Sequence, residues 1–407
     1  MKQIKIGLLW HSANSGNLGV GALTVGNMAL AREAAADIGL EAVFTIFGPD
    51  DRDPCYIHGV EVFPLTARTM LDPRCFARAV APLDCVLDIS SGDSFTDIYP
   101  LKRFGWIVLT KAIVVMQGVP LVFSPQTIGP FAGATVAKRA LGRLARWTMR
   151  RARAVTVRDG RSFDAVRVLV PGIEPVMSAE VAFALPWTPA AHLAAVSPAS
   201  AGQRWRIGLN VSGLLWRGGY TGRGEFNLGY DYKALMIAVI ESLLAAGTYR
   251  IELFCHVVGT GVLVDNGDGD GDSGVADELA LRYPALVRVA DFASPSAAKS
   301  YISGLDLVIA ARMHACIAAF SSGVPVVPVS YSRKFEGLFD SLGYARVVPY
   351  TGMTTADAHA FIMHAVGQRD EMKAEVAAGL TCIEPRLDAY RHVLREVFGE
   401  IKKAKEG

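Results

Sequence analysis

Between Asp97 and Asp159 the sequence has no acidic residue. The same interval carries eleven cations: Lys102, Arg103, Lys111, Lys138, Arg139, Arg143, Arg146, Arg150, Arg151, Arg153 and Arg158. The whole chain is only +2, so the rest is net acidic and the excess is local. Such an excess suits an anionic substrate or surface. Cysteine is also scarce: six residues, with no C-x-x-C. That argues against a disulfide framework, and the thiols read as reduced core groups of a cytosolic protein. Neither the cysteines nor the eight histidines form a metal-ligand pattern. No apolar run reaches the ~20 residues that span a bilayer. The opening MKQIKIGLLWHSANSGN has a short apolar run that reads as a first strand, not a signal peptide.

What is present alternates. Apolar strands are predicted at Lys5–Trp10, Ala42–Phe47, Cys85–Ile89, Val119–Ser124 and Ala154–Val157, each followed by a polar, turn-rich loop. A helix is predicted from about Ala22 to Ile38, stopped by Gly39. After the Pro/Ala/Ser-rich stretch Trp187–Gln203, a second series begins at Arg206–Val211 and continues through Ile251–Val257 and Leu305–Ala310. Strand, polar loop, helix, repeated twice over, is the pattern of doubly wound α/β domains. The expected fold is therefore α/β, with two Rossmann-like domains facing a cleft in a glycosyltransferase-B-like arrangement. The expected division is 1–188, a linker at 189–203, 204–348, and C-terminal helices at 349–407. Ligands of such sheets bind beyond the carboxyl ends of the strands.

The loops at those ends hold the candidate residues. In ARMHACIAAF, Arg312 follows a strand and His314 opens an apolar, buried helix. A helix start favours anions, an arginine fork suits phosphate or carboxylate, and a histidine adds a proton donor. Arg158 follows AVTV and is a second cation for an anion. Lys334, in VSYSRKFEG, is a third. SSGDSFTDIYP offers Asp93 and Asp97, of which Asp97 is the stronger candidate to take a proton from a hydroxyl or to cap a helix. HSANSGNLGVG, with Asn17, is ordered G-x-x-G-x-G, so it is neither a dinucleotide fingerprint nor a P-loop. Its backbone N–H groups could still meet a phosphate. Trp216, Tyr220, Phe226 and Tyr230 lie among glycines in Leu214–Tyr232, either to stack on a sugar or as a surface loop. NGDGDGDSGVAD (Asn266–Asp277) reads as an acidic turn rather than a calcium loop. Arg139, Arg143, Arg146, Arg150 and Arg153 fall on one helical face, either solvated or in contact with an anionic lipid or pyrophosphate-linked substrate. No aromatic platform accompanies them, which argues against nucleic acid.

In the segments SGNLGVGAL, GDSFTDIYP, SPQTIGPF, VTVRD and ARMHACIAAFSSGVPVVPVSYSRKFEGLFDSLG, the chain resembles the polysaccharide pyruvyl transferase family over most of its length. It departs at Gly19-Val20, where members commonly have Gly-Asp, and at Glu180, where they often have aspartate. The resemblance implies transfer of the enolpyruvyl-derived group of phosphoenolpyruvate to a saccharide, free or lipid-linked, as a cyclic ketal in polysaccharide biosynthesis. Phosphoenolpyruvate is then donor substrate, and no cofactor or metal is needed. On that reading His314 protonates the methylene carbon and Asp97 serves as base. Arg158, Arg312, Lys334, Asn17 and Trp216 bind substrate. A cytoplasmic enzyme, peripheral to the inner membrane face, is expected. A nucleotide-sugar glycosyltransferase and a non-catalytic binding member are the alternatives.

Overall fold

The computed structural model describes residues 2–51, 53–189, 204–220, 222–258 and 271–406. Two all-parallel sheets organise them. The first holds β1 (Lys2–Leu9), β2 (Leu40–Gly48), β3 (Glu61–Pro64), β4 (Cys85–Asp88), β5 (Leu121–Gln126), β6 (Ala154–Val157) and β7 (Val176–Met177), in the order β3-β2-β1-β4-β5-β6-β7. The second holds β8 (Trp205–Asn210), β9 (Tyr249–Leu253), β10 (Val287–Arg288), β11 (Leu307–Ala310) and β12 (Val326–Pro328), in the order β10-β9-β8-β11-β12. Parallel strands covered on both faces read as continuous apolar runs. CVLD of β4 and LVIA of β11 are buried at every residue. These are the two Rossmann-like domains expected. The predicted linker lies almost wholly outside the described residues, as does the acidic turn up to residue 270.

Chain order reverses between β1 and β4 in one sheet and between β8 and β11 in the other. At such switch points the loops leave in opposite directions and open a crevice. The two crevices face each other. A seam of backbone bonds joins the domains beside them: Leu18 donates to the His256 carbonyl at 3.0 Å, and Val258 to that of Gly16 at 2.8 Å.

The first helix runs Leu18–Asp37, four residues earlier than predicted, because Asn17 caps it by accepting from the Gly19 N–H at 3.0 Å. HSANSGNLGVG is thus half turn and half helix. Further along the helix a glycine permits close approach: a Cβ on Gly26 would lie 2.1 Å from the Val181 carbonyl oxygen. The C-terminal helices do not form one unit. Helices Thr355–Gly367 and Arg369–Leu380 stay with the second domain, whereas Ile383–Glu406 returns to pack on Leu18–Asp37 of the first. Its Tyr390 hydroxyl donates to Asn27 at 2.9 Å and meets the Ser124 hydroxyl at 2.8 Å, all three buried. Three cysteines are buried, but Cys55, Cys75 and Cys382 are exposed, so only half match the core reading; all six are free thiols.

Candidate functional site

Four loops at strand ends, after β4, β6, β7 and β12, carry charge into the crevice. The loop after β4 turns sharply, with Ser90 and Ser91 both in the left-handed region (φ 45° and 53°). Each such residue costs on the order of 1–2 kcal/mol. A wholly buried network holds the turn. Lys111 pairs with Asp88 at 2.8 Å and donates to Ser90 Oγ at 2.8 Å, and Ser90 donates to Asp88 at 3.0 Å. This turn delivers Asp93. Its Oδ2 accepts from Lys334 of the second domain at 2.6 Å, and its Oδ1 accepts from the Tyr99 hydroxyl at 3.1 Å. Arg103 lies over the Tyr99 ring at 4.3 Å. Burial raises the Asp93 pKa, but Lys334, Arg158 and Arg103 outweigh it and hold the carboxyl below its usual range.

Arg158 follows β6 and is buried. Its Nε donates to Thr127 Oγ1 at 3.0 Å, and its Nη1 pairs with Glu180, in the loop three residues past β7. The other Glu180 oxygen has no hydrogen-bond partner and lies 4.0 Å from His314 Nε2, which also has none. Glu180 therefore links an arginine of the first domain to a histidine of the second. Burial pushes the Glu180 carboxyl up, against the pull of Arg158. Burial also lowers His314 to about 3, helped by Arg158 and His256 and opposed by Asp93. The resting imidazole is neutral. Its position is set from below, because a Cβ on Gly19 would sit 2.4 Å from Nδ1. Only glycine lets the first helix carry this ring.

Other expected residues are placed differently. Arg312 is buried, and its Nε and Nη2 donate to Asp272 at 3.0 and 2.9 Å. Asp272 also accepts from Asn210, Gly213, His256 and Val257. Arg312 thus belongs to a buried knot under the seam, with two of its guanidinium nitrogens on Asp272. Asp97 is not brought to the cluster either. Its oxygens accept the N–H groups of Ala132 and Gly133, at 2.9 and 2.5 Å. Trp216 is buried under the Lys233 ammonium, 4.8 Å from its ring, instead of standing free for a sugar. Asn17 caps its helix beside the cleft. Arg158, His314 and Lys334 are brought together, joined by Asp93 and Glu180.

Scanned against protein families, the chain matches Polysaccharide pyruvyl transferase over residues 17–333. The chain belongs to the polysaccharide pyruvyl transferase family. This family is one of transferases, and the match spans Asp93, Arg158, Glu180 and His314 and ends one residue before Lys334. Curated proteins searched by sequence gave no match. Among solved structures, UDP-GlcNAc 2-epimerase from Neisseria meningitidis bound to UDP-GlcNAc is similar at 9% identity and TM-score 0.58, over 97% of this chain and 100% of that one. Anabaena Alr3699/HepE in complex with UDP-glucose matches at 14% identity and TM-score 0.55, over 98% and 100%. Sucrose-phosphate synthase from Thermosynechococcus elongatus matches at 12% and 0.57, over 98% and 100%. At these identities the likeness establishes the fold of this pyruvyl transferase family member, two Rossmann-like domains in the glycosyltransferase-B manner.

The same burial that neutralises His314 acts on His11 and His256, lowered to about 3 and about 4. The folded chain then binds fewer protons than the unfolded one below the ordinary histidine value of 6.5, so stability falls as pH drops. Each histidine contributes up to about 1.4 kcal/mol per pH unit. Three together give about 4 kcal/mol per unit between roughly pH 6 and 4. The unfolding midpoint should drop steeply between pH 6.5 and 5; a flat midpoint over that range contradicts the neutral assignment.

Proposed function

We propose that the protein transfers the enolpyruvyl-derived group of phosphoenolpyruvate to two hydroxyls of a saccharide, free or lipid-linked, giving a pyruvate ketal and phosphate. The observation that supports this most is the pair of charge bridges across the cleft, Arg158–Glu180 facing His314, and Asp93–Lys334. Phosphoenolpyruvate is small and multiply charged. Arg158 and Lys334 are cations whose present partners are carboxylates, groups that an incoming phosphate and carboxylate mimic and displace. The anion would also offset the positive field of Arg158 at the imidazole. His314 then takes up a proton from solvent, beside the Glu180 carboxylate 4.0 Å away. In the reaction His314 gives that proton to the methylene carbon, leaving an oxocarbenium-like C2. A sugar hydroxyl attacks C2 and loses its proton to Asp93, released from Lys334. Phosphate leaves from C2, and the second hydroxyl closes the ketal as it returns a proton to His314. Arg158 and Lys334 neutralise the departing charge. In this reading Asp93 replaces Asp97 as base, because both Asp97 oxygens are engaged by backbone.

The test is phosphate release from phosphoenolpyruvate over a panel of saccharides, beside thermal shift. Phosphoenolpyruvate should raise the unfolding midpoint; at 100 Kd the stabilisation is about 2.7 kcal/mol. A shift with UDP-sugars and none with phosphoenolpyruvate would overturn the reading in favour of a nucleotide-sugar transferase. Binding without phosphate release for any acceptor would point to a non-catalytic member.

A further inference from the structure

The basic interval contributes only Arg103 and Arg158 to the cleft. Lys138, Arg139, Arg143 and Arg146 instead line a separate pocket on the first domain, walled by Phe131 and the Asp97 loop. Its position follows from two helices, Leu101–Met116 and Val136–Arg151, which pack together with Gly105 against Leu141. Each follows a strand of the same parallel sheet, so both begin at the carboxyl edge, the edge that bears the cleft. Lys138 Nζ donates to the Asp97 carbonyl at 2.6 Å, tying the two helix starts together.

Three properties of this surface converge. Among the described residues, no carboxylate forms an ion pair with these four cations, and the nearby Asp97 has both oxygens on backbone N–H groups. The Nε of Arg146 is buried without a hydrogen-bond partner. The rim is apolar: Ile98 is 56% exposed, Leu101 44% and Val136 74%, at the starts of the two helices. A soluble phosphate would use the cations and leave those apolar side chains in water. A bilayer interface uses both, since its headgroups are anionic and its acyl boundary takes apolar side chains.

We infer that this pocket and its rim dock the protein on an anionic phospholipid surface. Arg139, Arg143 and Arg146 hold headgroup phosphates, while Ile98, Leu101 and Val136 enter the acyl boundary. The contact is narrower than the arginine stripe in the sequence. Arg153 lies past the far end of a 16-residue helix, about 24 Å along it, and pairs with Glu400. The contact also faces the same way as the cleft. Asp93 and Asp97 are four positions apart, so the pocket edge is at most about 14 Å of chain from the site. Docking would hold the cleft beside the headgroups, within reach of a saccharide carried on lipid. The inference does not depend on the donor being phosphoenolpyruvate.

Co-sedimentation of the full chain with vesicles tests it. Vesicles rich in phosphatidylglycerol should bind the protein, pure phosphatidylcholine should not, and high salt should release it. Arg139→Glu/Arg143→Glu changes two exposed residues and should weaken binding tenfold or more at an unchanged unfolding midpoint. Val136→Ser/Ile98→Ser should weaken it several-fold with the charge intact. Absence of binding by the unaltered protein, or binding that neither pair of substitutions weakens, overturns the inference. So does protection by inorganic pyrophosphate that depends on Arg139 and Arg143 without any vesicle binding, which would mark a soluble-phosphate site.

Discussion

Replacing His314 with glutamine should lower phosphate release from phosphoenolpyruvate by about 10²–10⁴-fold, the usual worth of a positioned acid. Thermal stabilisation by phosphoenolpyruvate should survive. Glutamine keeps a polar amide near Glu180 but has no proton to give to carbon. Binding rests on Arg158 and Lys334, which the substitution leaves in place. The ring's own titration is the companion measurement. Free, it is neutral near pH 7, since burial and Arg158 lower it to about 3. With the anion bound, NMR should show the imidazole becoming protonated at that pH. Equal imidazole titration with and without phosphoenolpyruvate, or a His314→Gln protein of undiminished rate, would remove the histidine from the chemistry.

Arg158→Met should be the most destabilising change at the site. Removing one member of a buried ion pair strands the other, at about 3–5 kcal/mol, and Glu180 is only 1% exposed. The sign of its pH dependence follows from Glu180. Already raised by burial, its pKa climbs further without Arg158. The folded state then holds a proton that the unfolded chain releases above about 4.5. The variant's deficit relative to the parent is therefore small in acid and grows as pH rises through the window between the two values. Adding Glu180→Gln should restore most of the stability, because no buried charge is left over. Binding of phosphoenolpyruvate should stay lost in both. A single variant as stable as the parent at pH 7, or a double variant that still binds, would contradict this account.

Much of the architecture was legible because parallel strands buried on both faces leave unbroken apolar runs, as in LVIA and CVLD. The strands Glu61–Pro64, Val176–Met177 and Val287–Arg288 were not. They are short, at most four residues, and are sheet edges whose pairing is set by a neighbour, not by their own pattern. Arg158, His314 and Lys334 were legible as polar residues at strand ends. Glu180 was noticed only as a departure from a family pattern. Its role depends on Arg158 and His314, 22 and 134 positions away, which no local spacing reveals. Arg312 was misleading for the same reason. A cation beside a helix start looks the same in sequence whether it meets a ligand or, as here, Asp272. Asp97 outranked Asp93 because nothing local shows that Ala132 and Gly133 engage its oxygens, while Lys334 draws the other into the cleft.

The return of helix Ile383–Glu406 to the first domain bears on how the protein is made. Tyr390 completes the buried hydroxyl–amide contacts of Asn27 and Ser124. About 200 residues of second domain must leave the ribosome first. At typical rates of synthesis that is roughly 10–40 s, during which the first domain stands with one flank of its core uncovered. The nascent chain carries this exposed apolar flank until Ile383–Glu406 emerges, so a chaperone has its longest opportunity there. A premature stop just before Ile383 would leave the first domain, not the second, unfinished.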